Sequence, residues 1–238
     1  MTSSEPATTI IDRTGGHVTL INTFTVAADK QQTFIETQHG EYKRLKGQIR
    51  GATAANLHRG RSGRRAVNYA QFHSLDEFMA WRTSDLMKAH RLVIDPFVER
   101  AAPRLFRVVH AVEHAEGAAK IVEGGEAIIA VMSVDPAAVD DVLAHQRDAA
   151  EQIVQVIPGV RAMVLHRGAA SAGPGSGPEA AAGAPPEATV ALYAVVDDEA
   201  AARTLRDDAR YRAAFSTEDA RIRELDVDSY TVYAVAPA

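Results

Sequence analysis

The chain is written twice, and that repeat constrains its fold more than any other feature. Leu57, His58, Arg59 and Gly60 recur as Leu165, His166, Arg167 and Gly168, an offset of 108 residues. The same offset pairs Val26 with Val134, Gln38 with Gln146, Ile49 with Ile157 and Gly51 with Gly159. Further along, "NYA" (68–70) aligns with "LYA" (192–194) and "FRVVHAV" (106–112) with "YTVYAVA" (230–236), now at an offset of 124. The residues that widen the offset fall in "AASAGPGSGPEAAAGAPPEA" (169–188). Its Gly, Pro and Ala content and its lack of periodicity predict a flexible loop between two strands. Two tandem units of about 100 residues each follow.

Each unit presents the same order of elements. "VTLINTFTV" (18–26) alternates with period two and reads as a strand, and residues 29–48 read as a helix despite Gly40. "ATAANLHR" and "RAVNYAQF" read as two strands around the turn "GRSG". A helical region from Ser74 to about Glu99 follows, then the strand "RLFRVVHAV". The order β-α-β-β-α-β is the ferredoxin-like pattern, so the fold class is α+β. The boundaries read as a flexible tail over 1–17, copy one over 18–113, a connection over 114–125 and copy two over 126–238. A four-stranded sheet with helices on one face leaves its other face bare. Two fused copies can cover those faces mutually, which predicts a pseudo-dimeric α+β barrel.

Composition removes several functions. There is no cysteine, hence no disulfide, thiolate metal site or Cys nucleophile. The net charge of −5, with no long run of one sign, argues against a nucleic-acid or anionic-membrane surface. No apolar run approaches the ~20 residues of a membrane span, and "MTSSEPATT" lacks the features of a signal peptide. A cytoplasmic protein is the expectation.

Three polar or aromatic residues stand out in copy one. Asn22 lies in the apolar row Val18, Leu20, Phe24, Val26, where a buried amide without partners costs on the order of 1–3 kcal/mol. Trp81 is the only tryptophan, and His90 follows nine residues later. On one helix those two would face opposite ways, because nine residues advance about 900°. Thr83, Ser84 and Asp85 between them are poor helix-interior residues and good N-caps, so one helix should stop near Arg82 and another start at Thr83 or Ser84. Copy two has Ala130, Leu205 and Ala214 at the three equivalent positions. The chemistry is therefore assigned to copy one. His58 and His166, shared by both copies, read as packing or strand-end residues, and the basic turn "HRGRSGRR" (58–65) reads as a solvated hairpin able to attract heme propionates or an acidic partner.

In residue type, order and separation, Asn22, Trp81 and His90 resemble the active-site set of the small heme-degrading monooxygenases of the dimeric α+β barrel superfamily. Those enzymes fall within the antibiotic-biosynthesis-monooxygenase family. The resemblance covers about residues 18–112. It implies that His90 would be the neutral imidazole ligand of heme iron and that Trp81 would press on the porphyrin. Asn22 would donate a hydrogen bond to oxygen at the metal, and Phe72 would contact the cofactor. Heme would be cofactor and substrate at once, with O2 and an external electron donor as partners and iron as a product. A homodimer of the fused unit is a further assembly that the family allows.

A rival reading draws on "AVNYAQF" (66–72), which resembles the cofactor-independent, quinone-forming monooxygenases of polyketide biosynthesis in the same family. There, an "NYAQW" segment supplies an Asn and a Trp. Asn68 is present here, whereas the Trp position holds Phe72. An aromatic phenol would then be oxidised by O2 directly, with Asn68 polarising a carbonyl. A third reading is a heme-binding or structural barrel without turnover.

Overall fold

The period-two strands of both copies close into a single ring. The computed structural model describes residues 7–13, 16–115, 119–169 and 188–237. The first part of the chain forms β1 (Thr8–Ile10), β2 (Val18–Val26), α1 (Gln31–Leu45), β3 (Ala52–Gly60), β4 (Arg65–Phe72), α2 (Leu75–Thr83), α3 (Asp85–Ile94) and β5 (Val98–Glu113). The remainder forms β6 (Lys120–Val122), β7 (Glu126–Val134), α4 (Val139–Val156), β8 (Val160–Gly168), β9 (Thr189–Val196), α5 (Glu199–Asp207), α6 (Ala209–Phe215) and β10 (Ile222–Pro237). Within copy one the strands lie in the ferredoxin-like order β5-β2-β4-β3, and copy two repeats it as β10-β7-β9-β8.

The last strand of each copy joins the two. β5 and β10 are each 16 residues long, about three times an ordinary strand. The first half of β5 pairs with β2, and its second half pairs with β8 of the other copy. β10 does the same with β7 and then β3. The result is a closed eight-stranded barrel, which leaves none of its strands with an unpaired edge.

Alternation then gives each strand two apolar environments. Along β2, Leu20, Phe24 and Val26 face the helices of copy one, whereas Ile21 faces the barrel interior with Val67, Ile129, Val164 and Val232. The recurring histidines sit in that interior and are fully buried. His58 Nε2 lies 2.7 Å from the Tyr193 hydroxyl, and His166 Nε2 lies 2.9 Å from the Tyr69 hydroxyl. Their Nδ1 atoms lie 3.4 Å from the Val67 and Ala191 carbonyls. Each Nδ1–H thus donates to a carbonyl while each Nε2 accepts from a tyrosine of the other copy. Burial pushes both imidazoles down to about 4, so they are neutral near pH 7. Gly51 and Gly159 recur because both stand at positive φ, +78° and +83°, at matching turns.

The structure departs from the sequence expectation in four places. The flexible tail expected over 1–17 is wrong for its described part. β1 pairs with β6, so the connection expected over 114–125 also carries a strand. Ile11, Ala119 and Ile121 pack into the barrel interior, so this ribbon closes one end of it. Three-residue strands carry no readable period, and their pairing depends on a partner more than 100 residues away. The second helical region is α-helical to Ile94 and continues as a 3-10 turn over Asp95–Phe97, two residues short of Glu99, because Pro96 cannot extend the α-helical hydrogen bonding. The basic turn is not simply solvated. Arg61 reaches Glu126 at 2.7 Å and Glu199 at 3.0 Å, Arg65 pairs with Asp226, and Arg64 meets Glu99 at 2.9 Å. The loop expected over 169–188 lies outside the described residues except for Ala169 and Ala188. Among the described residues no helix is long and apolar enough to cross a membrane.

Candidate active site

The helix break at Ser84 brings the site together. Ser84 ends α2, donating its backbone N–H to the Trp81 carbonyl at 3.0 Å, and starts α3 by accepting from Met87 N–H at 3.2 Å. Asp208 does the same between α5 and α6 in copy two. The chain therefore turns between Trp81 and His90, and both line one cavity of about 110 Å³.

That cavity lies in copy one between β3, β4 and the three helices. Ala52, Ala54, Ala55 and Ala70 make its space, Leu45, Ile49 and Phe72 add apolar wall, and the exposed Lys46 and Gly47 mark its opening. Phe72 and Trp81 form an aromatic plate, their ring centres 5.5 Å apart and 32° from parallel, braced by Phe78.

The polar lining is small and specific. The Tyr42 hydroxyl donates to Asn68 Oδ1 at 2.6 Å, which fixes the rotation of that amide and leaves Nδ2 as its donor side. Burial pushes the Tyr42 hydroxyl above its ordinary range, so it remains protonated. His90 is 5% exposed. Its Nδ1 lies 3.0 Å from Glu41 Oε2, and its Nε2 lies 3.5 Å from Gln38 Nε2. Arg44 grips Glu41 with two bonds of 2.7 and 2.6 Å, the main cause that holds the carboxyl below its usual value. Burial lowers His90 more than Glu41 raises it, so the pair is an ionised carboxylate beside a neutral imidazole near pH 7. Two buried polar atoms of lining residues, Trp81 Nε1 and Gln38 Oε1, have no protein partner, and neither has Asn22 Oδ1 on β2. Such orphans are costly unless a ligand or water meets them.

The structure brings Trp81, His90 and Phe72 to the cavity, together with Asn68. Asn22 is not part of the lining. It is half-buried on β2, directly opposite Asn68 in the β2–β4 register. Sequence reasoning missed Gln38, Glu41 and Tyr42, which α1 supplies. The repeat held the signal. Glu41, Tyr42, Asn68 and His90 correspond to Ala149, Ala150, Leu192 and Ala214, all buried and apolar, while Gln38 keeps its counterpart Gln146. The polar group was exchanged as a set.

Heme does not fit this pocket. Roughly 300–1,000 Å³ is usual for a drug-sized ligand, against about 110 Å³ here. The His90 nitrogens are already turned to Glu41 and Gln38, and the side chain is buried. Among the described residues no cluster of three or more His, Asp or Glu could hold a bare metal ion.

Residues 17–91 match the family profile of antibiotic biosynthesis monooxygenase. The match spans most of the first copy and about a third of the chain. The matched stretch contains α1, β4, α2 and His90, hence nearly the whole lining just described. Among solved structures, an anthrone oxidase-like protein is similar over 97% of both chains, with a TM-score of 0.79 and 22% identity. A candidate monooxygenase from Lactobacillus acidophilus is similar over 93% of this chain and 96% of its own, with a TM-score of 0.59 and 9% identity. A ferredoxin-fold protein from Listeria monocytogenes, described as related to antibiotic biosynthesis monooxygenases, covers 92% and 96%, with a TM-score of 0.51 and 10% identity. At these identities the likeness is one of fold, and it extends over both copies. No curated protein matches the sequence.

Proposed function

We propose that the copy-one pocket oxidises an aromatic substrate of the anthrone type directly with O2, without heme, to the corresponding quinone. The observation that carries this reading is the cavity itself: an alanine-lined space beside the Phe72–Trp81 plate, with Asn68 locked by Tyr42 at its wall. An apolar protein cavity of about 150 Å³ holds a benzene ring. A space of about 110 Å³ open at Lys46 and Gly47 suits the end ring of a fused system whose remainder projects through the mouth. The fold shared with an anthrone oxidase-like protein supports the choice of substrate class.

The chemistry asks little of the protein. A methylene beside a carbonyl loses a proton, and the resulting carbanion is delocalised onto that carbonyl oxygen. O2 adds to the carbon, a second proton leaves, and the O–O bond breaks. One oxygen atom stays as the new C=O and the other departs as water, so the four electrons lost by carbon are those gained by O2. Charge develops on the substrate carbonyl oxygen, where Asn68 Nδ2 and the unpartnered Trp81 N–H are the available donors. Removing one such preorganised donor typically costs about 10²–10³ in kcat.

The test pairs two measurements on the protein as purified. Anthrone should be converted to anthraquinone with one O2 consumed per quinone, and hemin titration should give no saturable Soret shift. Conversion no faster than buffer, or conversion that starts only after hemin is added, would overturn the reading.

A further inference from the structure

We propose that His90 is the catalytic base that removes the substrate's methylene protons, and that Glu41 is the residue that positions it. This rests on the oxidation reading above for its substrate, yet it stands on separate observations. Glu41 Oε2 lies 3.0 Å from His90 Nδ1, and a carboxylate can only accept, so the proton of the neutral ring resides on Nδ1. The basic lone pair is then on Nε2. That atom faces Gln38 Nε2 at 3.5 Å, the outer limit of a hydrogen bond, so a substrate can displace the contact at little cost. Its own acceptor, Gln38 Oε1, already lacks a partner. The imidazole belongs to the cavity lining, as a base must to reach its proton.

The second copy separates folding from chemistry. It has the same α4–α6 packing and keeps Gln146, which donates to the Ala214 carbonyl at 3.0 Å. Glu41 and His90 become Ala149 and Ala214 together, both buried. A unit of this shape therefore closes without the pair. In copy one the pair is an added device, consistent with burial keeping the ring neutral and able to accept a proton.

In the reaction His90 Nε2 takes the first proton as the C–H bond breaks, and the electron pair stays on the substrate. It returns that proton to the peroxide formed when O2 adds. It then takes the second methylene proton as the O–O bond breaks, and delivers it to the departing hydroxide, giving water. The ring leaves each turnover as it began.

Proton removal needs no O2, and this makes the proposal testable alone. Anthrone in D2O without oxygen, followed by NMR, reports methylene exchange above the buffer rate. The intact protein should catalyse it, and His90→Gln should lose at least about 100-fold of that catalysis. Glu41→Gln should lose about 10-fold and move the acid limb of the pH–rate profile to lower pH, since the anion that raises His90 is gone. The other charged groups acting on His90, Arg44 on α1 and Asp95 beyond α3, are unchanged in that variant. A structural role would lower the folded amount without moving the limb. Should either variant fold poorly, ¹⁵N NMR of the intact protein should still show the His90 proton on Nδ1. No catalysed exchange, unchanged exchange in His90→Gln, or a proton on Nε2 would each overturn the proposal. Exchange without quinone formation in air would support the base and refute the oxidation reading; oxidation unaffected by His90→Gln would do the reverse.

Discussion

Lowering the pH from 7 to 4.5 should destabilise the barrel by an amount set mainly by two histidines. His58 and His166 are buried in the barrel interior, and burial lowers each from an ordinary 6.5 to about 4. The unfolded chain therefore binds protons below pH 6.5 that the folded chain refuses until about pH 4. Stability is fully present above the ordinary value and is lost as pH falls through that window. At pH 4.5 each histidine withdraws about 2.5 kcal/mol, or about 5 kcal/mol for the pair, a large part of the roughly 5–15 kcal/mol of a typical domain. His90 is also lowered and acts in the same direction. Asp219, held near 2 chiefly by Arg221, adds its own loss only below about pH 4, so the two windows separate. Urea midpoints at pH 7 and 4.5 measure the effect. The double variant His58→Gln/His166→Gln should lose most of the acid dependence, because an amide does not titrate. Equal acid losses in the double variant and the parent, or a flat profile in the parent, would refute the buried-histidine account.

Three further outcomes follow from particular contacts. Removing residues 1–13 takes away Ile11 and the buried Thr9–Asn56 hydrogen bond, so urea denaturation should show a loss of about 3–5 kcal/mol. Gly51→Ala places a side chain at φ +78°, with Glu77 side-chain atoms 2.4 Å from the new Cβ; a loss of about 1–2 kcal/mol is expected by the same assay. Tyr42→Phe leaves Asn68 Oδ1 without its hydroxyl, so anthrone turnover should fall about 10-fold, as for one lost hydrogen bond, while the thermal midpoint moves little.

The parts of this molecule that were readable in the sequence are those governed by local rules. The strand β2 reads directly from its period, and the stop between α2 and α3 reads from Ser84, a residue that favours caps. The tandem barrel was readable because the repeat includes Gly51 and Gly159, whose left-handed backbone few other residues tolerate. What stayed hidden depends on distant packing. Glu41 and Tyr42 look like ordinary residues of an amphipathic helix until α1 is laid against α3 and β4. The β1–β6 ribbon is too short to carry a pattern. Trp81 and His90 were legible as neighbours, but the size of the space between them was not. That size separates a single aromatic ring from a porphyrin.

The most direct test of the central claim is isotopic. The purified protein is given anthrone under ¹⁸O2, and the quinone is analysed by mass spectrometry. The account predicts one ¹⁸O atom in the new carbonyl, formed without added hemin or reductant. It also predicts loss of that product when Asn68 and His90 are replaced by the copy-two residues, Asn68→Leu and His90→Ala. Quinone without label, label that appears only when hemin and an electron donor are supplied, or equal yield from the doubly substituted protein would contradict it.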